Sequence, residues 1–81
     1  MLNDAKVRAA KPQQKPYKLT DSHRLYLLVT PHGSKLWKWN YAYDGKQKTM
    51  SFGVHPIVSL RDARTKRDKA RALLEAGKDP A

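Results

Sequence analysis

Leu36-Trp37-Lys38-Trp39-Asn40-Tyr41-Ala42-Tyr43-Asp44-Gly45-Lys46-Gln47-Lys48-Thr49-Met50-Ser51-Phe52 is the stretch on which the fold turns. Aromatic residues occupy positions 37, 39, 41 and 43, every second place. Side chains alternate between the faces of a strand, so all four fall on one side of a sheet. Asp44-Gly45 then supplies a two-residue hairpin turn, because both residue types tolerate positive φ. With that turn fixed, Tyr43 pairs with Lys46, Ala42 with Gln47, Asn40 with Thr49 and Lys38 with Ser51. On the other face Trp39 meets Met50 and Trp37 meets Phe52.

Working outward, Leu25 to Thr30 reads as a strand ended by Pro31-His32-Gly33-Ser34. Setting Val29 against Trp37 places Leu27 beside Trp39 and Leu25 beside Tyr41. The core face is then Leu25, Leu27, Val29, Trp37, Trp39, Tyr41, Met50 and Phe52. A one-residue slip would expose all of them. Tyr17 to Thr20 is a short edge strand, followed by a turn at Asp21-Ser22-His23. Before it, Asn3 to Ala10 suits a short helix capped by Asn3 or Asp4 and stopped by Pro12, with Lys11 to Pro16 as an extended connector. Gly53 ends the return strand. Ser59 and Asp62 form a capping-box-like start to a last helix, and Leu60, Ala63, Ala70, Leu73 and Leu74 form its apolar stripe. Asp62–Lys66, Arg64–Asp68 and Arg71–Glu75 have the spacing of helical ion pairs. Arg67 falls inside the apolar stripe, so it must snorkel or find a buried partner. Gly77 is the natural stop and Pro80 prevents resumption. The expected fold is α+β: a three- to four-stranded antiparallel sheet packed on a C-terminal helix, with a short N-terminal helix. Residues 1–16 form the helix and connector, 17–53 the sheet and 59–76 the last helix of a single domain, 1–81.

The chain has 81 residues, 17 Lys and Arg against 7 Asp and Glu, and a formal net charge of +10. One small domain leaves no room for a cleft between domains. Without cysteine there are no disulfides, cysteine-based zinc sites or thiol chemistry. No apolar run has the length of a membrane span, and Met1 to Ala10 lacks the apolar centre of a signal peptide, so a reducing cytoplasm is the expected compartment. A sequence pI near 10.2 points to a polyanionic partner, nucleic acid or an anionic membrane surface. Glycines 33, 45, 53 and 77 fall singly at turns or helix ends, so no phosphate-cradling loop is expected. His23, His32 and His55 are scattered over separate loops, which argues against a metal site, and no spacing suggests a catalytic triad. No cofactor and no small-molecule substrate are expected. The positive excess sits mainly in the strand-rich part, net +7 over residues 1–58 against net +3 over residues 59–76.

The face opposite the core carries Arg24, Tyr26, Leu28, Thr30, Lys38, Asn40, Ala42, Gln47, Thr49 and Ser51. These types suit base edges: Arg or Lys to guanine, Asn or Gln to adenine, small apolar groups to the thymine methyl. Arg24, Tyr26, Leu28, Lys38, Asn40, Gln47, Thr49 and Ser51 are the candidate base readers. Lys35, Lys46 and Lys48 at the rims are candidates for phosphates. A sheet face that is polar simply because it meets water is the plain alternative. The alternating aromatics belong to the core rather than to a stacking platform for single-stranded RNA. Two other classes remain open on the residues alone: an RNA-binding accessory module and a protein-interaction module.

Several runs carry a family resemblance. They are Val7-Arg8-Ala9-Ala10-Lys11-Pro12, Tyr17-Lys18-Leu19, Leu25-Tyr26-Leu27-Leu28-Val29 and Gly33-Ser34-Lys35-Leu36-Trp37. Gly45-Lys46, Ser51-Phe52-Gly53-Val54-His55-Pro56, Ser59-Leu60-Arg61-Asp62-Ala63-Arg64 and Ala76-Gly77-Lys78-Asp79-Pro80 complete the series. In order and spacing the chain resembles the N-terminal domain of prophage and pathogenicity-island integrases. The resemblance implies the first part of a three-part tyrosine recombinase. This part would bind double-stranded DNA at arm-type sites, with the sheet in the major groove, in support of site-specific integration and excision. A central domain and a catalytic domain would follow, so the chain would be cut from a longer protein and would not be an enzyme by itself. Tyr17, Tyr26, Tyr41 and Tyr43 are accordingly not nucleophiles, and the catalytic residues would lie elsewhere. Other integrase subunits and DNA-bending or excision factors are the implied partners, at the nucleoid and away from any membrane. The family often has a basic residue where Leu28, Asn40 or Ala42 stands here.

Overall fold

The structure is a computed structural model that describes all of residues 1–81. Its elements are helix α1 (Asp4–Ala9), strands β1 (Tyr17–Thr20), β2 (Leu25–Val29), β3 (Lys35–Tyr43) and β4 (Lys46–Val54), and helix α2 (Leu60–Glu75). The strands form one antiparallel meander in the order β1-β2-β3-β4. This is the expected α+β arrangement with four strands.

Asp44 and Gly45 adopt φ of 53° and 73°, so both turn positions are left-handed and the β3–β4 hairpin closes in the expected register. Tyr43 faces Lys46, Asn40 faces Thr49 and Lys38 faces Ser51. The register then departs from expectation: Trp37 lies opposite Gly53, not Phe52, because a bulge interrupts the ladder between Trp37 and Lys38. Phe52 is the extra, unpaired residue; it stays on the core face with Met50, its ring stacked 6.2 Å from that of Trp39. Gly53, at φ 118°, lies inside β4 rather than ending it, and a Cβ there would sit 2.6 Å from Val58 Cγ2. The chain after β4 thus folds back against a position that only glycine can fill.

A second correction concerns β2. Leu25 pairs with Trp39, Leu27 with Trp37 and Val29 with Lys35, a shift of two residues from the expected register. A shift of two keeps every side chain on its face, so the expected core set survives. Leu25, Leu27, Val29, Trp37, Trp39, Tyr41 and Phe52 are buried, with Met50 packed against them. Leu2 and Val7 from the N-terminal segment and Leu60, Ala63 and Ala70 from α2 join the same cluster, so both helices lie on this side of the sheet. Leu73, expected in the stripe, is instead 43% exposed.

Caps define the helices. The Asn3 side chain accepts from the Lys6 N–H at 2.8 Å, and Ser59 Oγ accepts from the Asp62 N–H at 3.0 Å. The C-terminal carbonyls of α1, at Val7 and Arg8, accept from Lys35 Nζ at 2.7 and 3.2 Å. Past α2, the Gly77 N–H bonds to the Leu74 carbonyl and the Lys78 N–H to the Leu73 carbonyl, both at 3.0 Å, a Schellman close with Gly77 at φ 82°.

The expected ion pairs along α2 do not form. Arg64 reaches instead to Asp21, Nε to Oδ2 and one terminal nitrogen to Oδ1, both at 2.9 Å. Arg67 is the buried arginine that the stripe required to find a partner. It donates to Asp21 Oδ2 at 3.3 Å, to the Ser22 carbonyl and hydroxyl at 3.1 and 3.0 Å, and to Asp68 at 3.0 Å. The Asp21 carboxylate, fully buried, also accepts from the Leu2 N–H at 3.0 Å. Its burial alone would raise its pKa; the Arg64 and Leu2 hydrogen bonds outweigh that and hold it below the ordinary value. No buried side-chain nitrogen or oxygen is left without a partner.

Candidate nucleic-acid interface

Both helices cover one face of the sheet, which leaves the other open. Strand alternation and register place Lys18 and Thr20 of β1 on this open face, across from Leu28 and Tyr26 of β2. Leu36, Lys38, Asn40 and Ala42 of β3 and Gln47, Thr49, Ser51 and, past the bulge, Val54 of β4 complete it. Lys18 and Thr20 were not among the candidates, because nothing in Tyr17–Thr20 fixes its pairing before β2 is placed.

The face carries its own polar network. Asn40 Oδ1 accepts from Thr49 Oγ1 at 2.8 Å and from the Tyr26 hydroxyl at 3.4 Å. Lys38 Nζ donates to Ser51 Oγ at 2.6 Å. Lys18 Nζ lies 4.8 Å from the Tyr26 ring centroid, a cation–π contact. Tyr26 is therefore buried among its neighbours, at 9% exposure, and holds Asn40 rather than standing free. Leu28 is half-buried against Leu36, while Gln47, Thr49 and Ser51 are exposed and Lys38 and Asn40 half-buried.

Arg24 is not on β2. It lies in the preceding turn, exposed, with φ 68°, beside His23 at φ 55°. The turn is pinned from several sides. Trp39 Nε1 donates to the His23 carbonyl at 2.9 Å, the Asn40 N–H to the Arg24 carbonyl at 3.3 Å, and Arg67 to the Ser22 carbonyl.

Of the three rim lysines, only Lys46 is exposed without an internal partner. Lys35 caps α1, as described above. Lys48 faces the helix side and forms an ion pair with Asp79 at 2.6 Å. Asp79 also accepts from the Tyr41 hydroxyl at 3.1 Å and from the Ala81 N–H at 3.0 Å. Lys48 and the Ala81 N–H hold the Asp79 pKa down, and the Asp79 hydrogen bond holds the Lys48 pKa up. Sequence could not single out this pair, since its members are 31 residues apart. No three His, Asp or Glu residues gather as a metal site, and no helix is long and apolar enough to cross a membrane.

The sequence matches the Arm DNA-binding domain family over residues 2–81. It is 42% identical over 80 residues to the integrase of Shigella phage Sf6, covering 99% of this chain and 21% of that protein. It is 47% identical over 81 residues to the integrase of Enterobacteria phage P4, covering 98% of this chain and 18% of that protein. A prophage integrase of Escherichia coli K12 is 44% identical over 81 residues, 98% of this chain and 20% of that protein. The chain thus spans about a fifth of the length of these curated relatives. A match that runs through both helices and all four strands leaves one conclusion: the chain belongs to the family of arm DNA-binding domains.

Proposed function

We propose that this domain binds double-stranded DNA at arm-type sites by laying the open sheet face into the major groove. The observation that carries the reading is an uncovered antiparallel face rich in amide, hydroxyl and ammonium groups, on a chain of net charge +10. The β3–β4 ribbon that carries most of these groups is narrow enough for the groove, and its side-chain types match base edges. Asn40, Lys38, Gln47, Thr49 and Ser51 read bases. Tyr26 positions Asn40, and Lys18 and Lys46 approach phosphates. Trp37, Trp39 and Tyr41 are buried, so stacking on single-stranded RNA has no platform here. Within a longer integrase of the tyrosine recombinase class, the domain would bring arm sites to a catalytic domain elsewhere in the chain. It would supply no catalytic residue, and neighbouring integrase subunits and accessory bending or excision factors would be its partners.

Selection from a randomised duplex pool tests this directly. The domain should enrich one motif. Asn40→Ala should then lose discrimination at one base pair by about 1–3 kcal/mol. Lys46→Ala should weaken selected and scrambled duplexes alike, and lower the salt slope by about 0.9. Equal losses across all sequences for both variants would overturn the base-reading assignment.

A further inference from the structure

A groove of about 320 Å³ borders the open face and shares Asn40 and Ala42 with it. It forms where β3 outruns β2. The β2–β3 ladder ends at Leu25–Trp39, and only the Asn40 N–H still reaches across, to the Arg24 carbonyl. Alternate backbone donors of a strand point the same way, so the Ala42 N–H points to the side where β2 has ended. His23 and Arg24 from the β1–β2 turn line one wall, Arg71 of α2 the other, with Tyr41 and Leu74 between them.

The charge of this groove is one-sided. Two arginines and a histidine line it, and no Asp or Glu does. Arg71 was expected to pair with Glu75, yet neither arginine takes part in an ion pair, while Arg64 and Arg67 of the same helix both do. Arg24 owes its place to two consecutive residues at positive φ, a conformation that side chains other than glycine rarely adopt. Such a conformation persists only where surrounding bonds impose it, and the bonds from Trp39, Asn40 and Arg67 do so here. Guanidinium groups and a free backbone N–H suit a tetrahedral oxyanion.

We propose that this groove holds a phosphodiester of the DNA backbone between Arg24 and Arg71, next to the base pairs met by Asn40. The inference rests on the major-groove reading above and gives α2 a direct part in DNA binding. Arg24 then serves the backbone instead of a base, and Arg71 fixes how far the sheet sinks into the groove.

Two measurements decide it. In the first, wild type, Arg71→Gln and Arg71→Lys are titrated with the selected duplex and with a scrambled one across a salt series. Arg71→Gln should bind both duplexes roughly fivefold more weakly and lose about 0.9 from the log–log salt slope. Arg71→Lys should recover most of that slope. An unchanged slope in Arg71→Gln, with Asn40→Ala still relaxing specificity, overturns the groove and leaves the sheet reading intact. In the second, inorganic phosphate is added without DNA while backbone and arginine Nε–H resonances are followed. Shifts confined to Arg24, Ala42 and Arg71 support the site. Shifts spread over all exposed cations, or none, overturn it. This second arm stands even if wild type fails to bind any duplex, the result that sinks the sheet reading.

Discussion

At the level of single residues, His23 and Arg24 show how position can outweigh preference. Both carry φ near +60° without being glycine, asparagine or aspartate. Each such residue costs about 1–2 kcal/mol in backbone sterics. The bonds that impose the turn use main-chain carbonyls, so they outlast a change of side chain. His23→Gly should therefore stabilise the domain. Relief of the left-handed strain is offset in part by the greater freedom of glycine in the unfolded chain. A net gain of about 0.5–1 kcal/mol corresponds to roughly 3–6 °C in Tm for a domain of this size. Thermal unfolding followed by circular dichroism measures it. A lowered Tm would mean that the imidazole itself holds the turn.

At the level of elements, Asp21 ties together parts that strand pairing leaves separate. Its carboxylate receives the Leu2 N–H from the N-terminal segment and both Arg64 and Arg67 from α2, while it stands at the end of β1. Asp21→Asn leaves Arg67, with a side chain only 7% exposed, without its buried anion. Breaking a buried pair costs about 3–5 kcal/mol, and the partial exposure of Arg64 places this case near 3. A fall in Tm of roughly 12 °C or more is expected. The pH dependence has a definite sign. The folded pKa of Asp21 is depressed, so its contribution is full above the unfolded value of about 3.9 and is lost as pH falls through the folded value. Wild-type Tm should drop below about pH 4, and the variant should lie lower and follow a flatter course. A variant as acid-sensitive as wild type would remove Asp21 from that role.

The same elements show which parts of the fold were legible in sequence. Asp44-Gly45 fixed the β3–β4 register because a two-residue turn leaves no freedom. The β2–β3 connection is longer, and hydrophobic alternation has a period of two, so it could fix the faces but not exclude a shift of two residues. The bulge at Phe52 is followed by Val58 lying close over Gly53, a contact that no local pattern announces. Arg67 in an apolar stripe did announce a buried partner. The partner itself lies 46 residues away, beyond the reach of helical spacing, and a separation of 43 residues between Arg64 and Asp21 likewise hid the loss of the Arg64–Asp68 pair. At the candidate interface, alternation placed Lys38, Asn40, Gln47, Thr49 and Ser51 on the open face. Composition could not show that Lys35 and Lys48 already hold internal partners.

At the level of the whole molecule, one charge distribution acts on two equilibria with opposite sign. A net +10 is confined to a body of 38 × 23 × 20 Å. Only Lys35, Lys38, Lys48, Arg64 and Arg67 donate side-chain hydrogen bonds within the protein, so most of the 17 cations face solvent and repel one another. The Debye length shrinks from about 30 Å at 0.01 M salt to about 8 Å at 0.15 M. At the lower salt repulsion spans the molecule; at the higher salt it reaches only near neighbours. Asp21 and Arg67, being buried, are screened far less. Adding salt over this range should therefore raise Tm of the free domain, since it relieves repulsion and spares the ion pair that matters most. The same addition should weaken duplex binding, with a log–log slope near −0.9 for each phosphate neutralised. Melting curves and duplex titrations on one set of buffers check both signs together. If Tm instead fell with salt, the half-buried Lys48–Asp79 pair would outweigh the repulsion, and the free cations would not be the source of stored electrostatic energy that DNA binding releases.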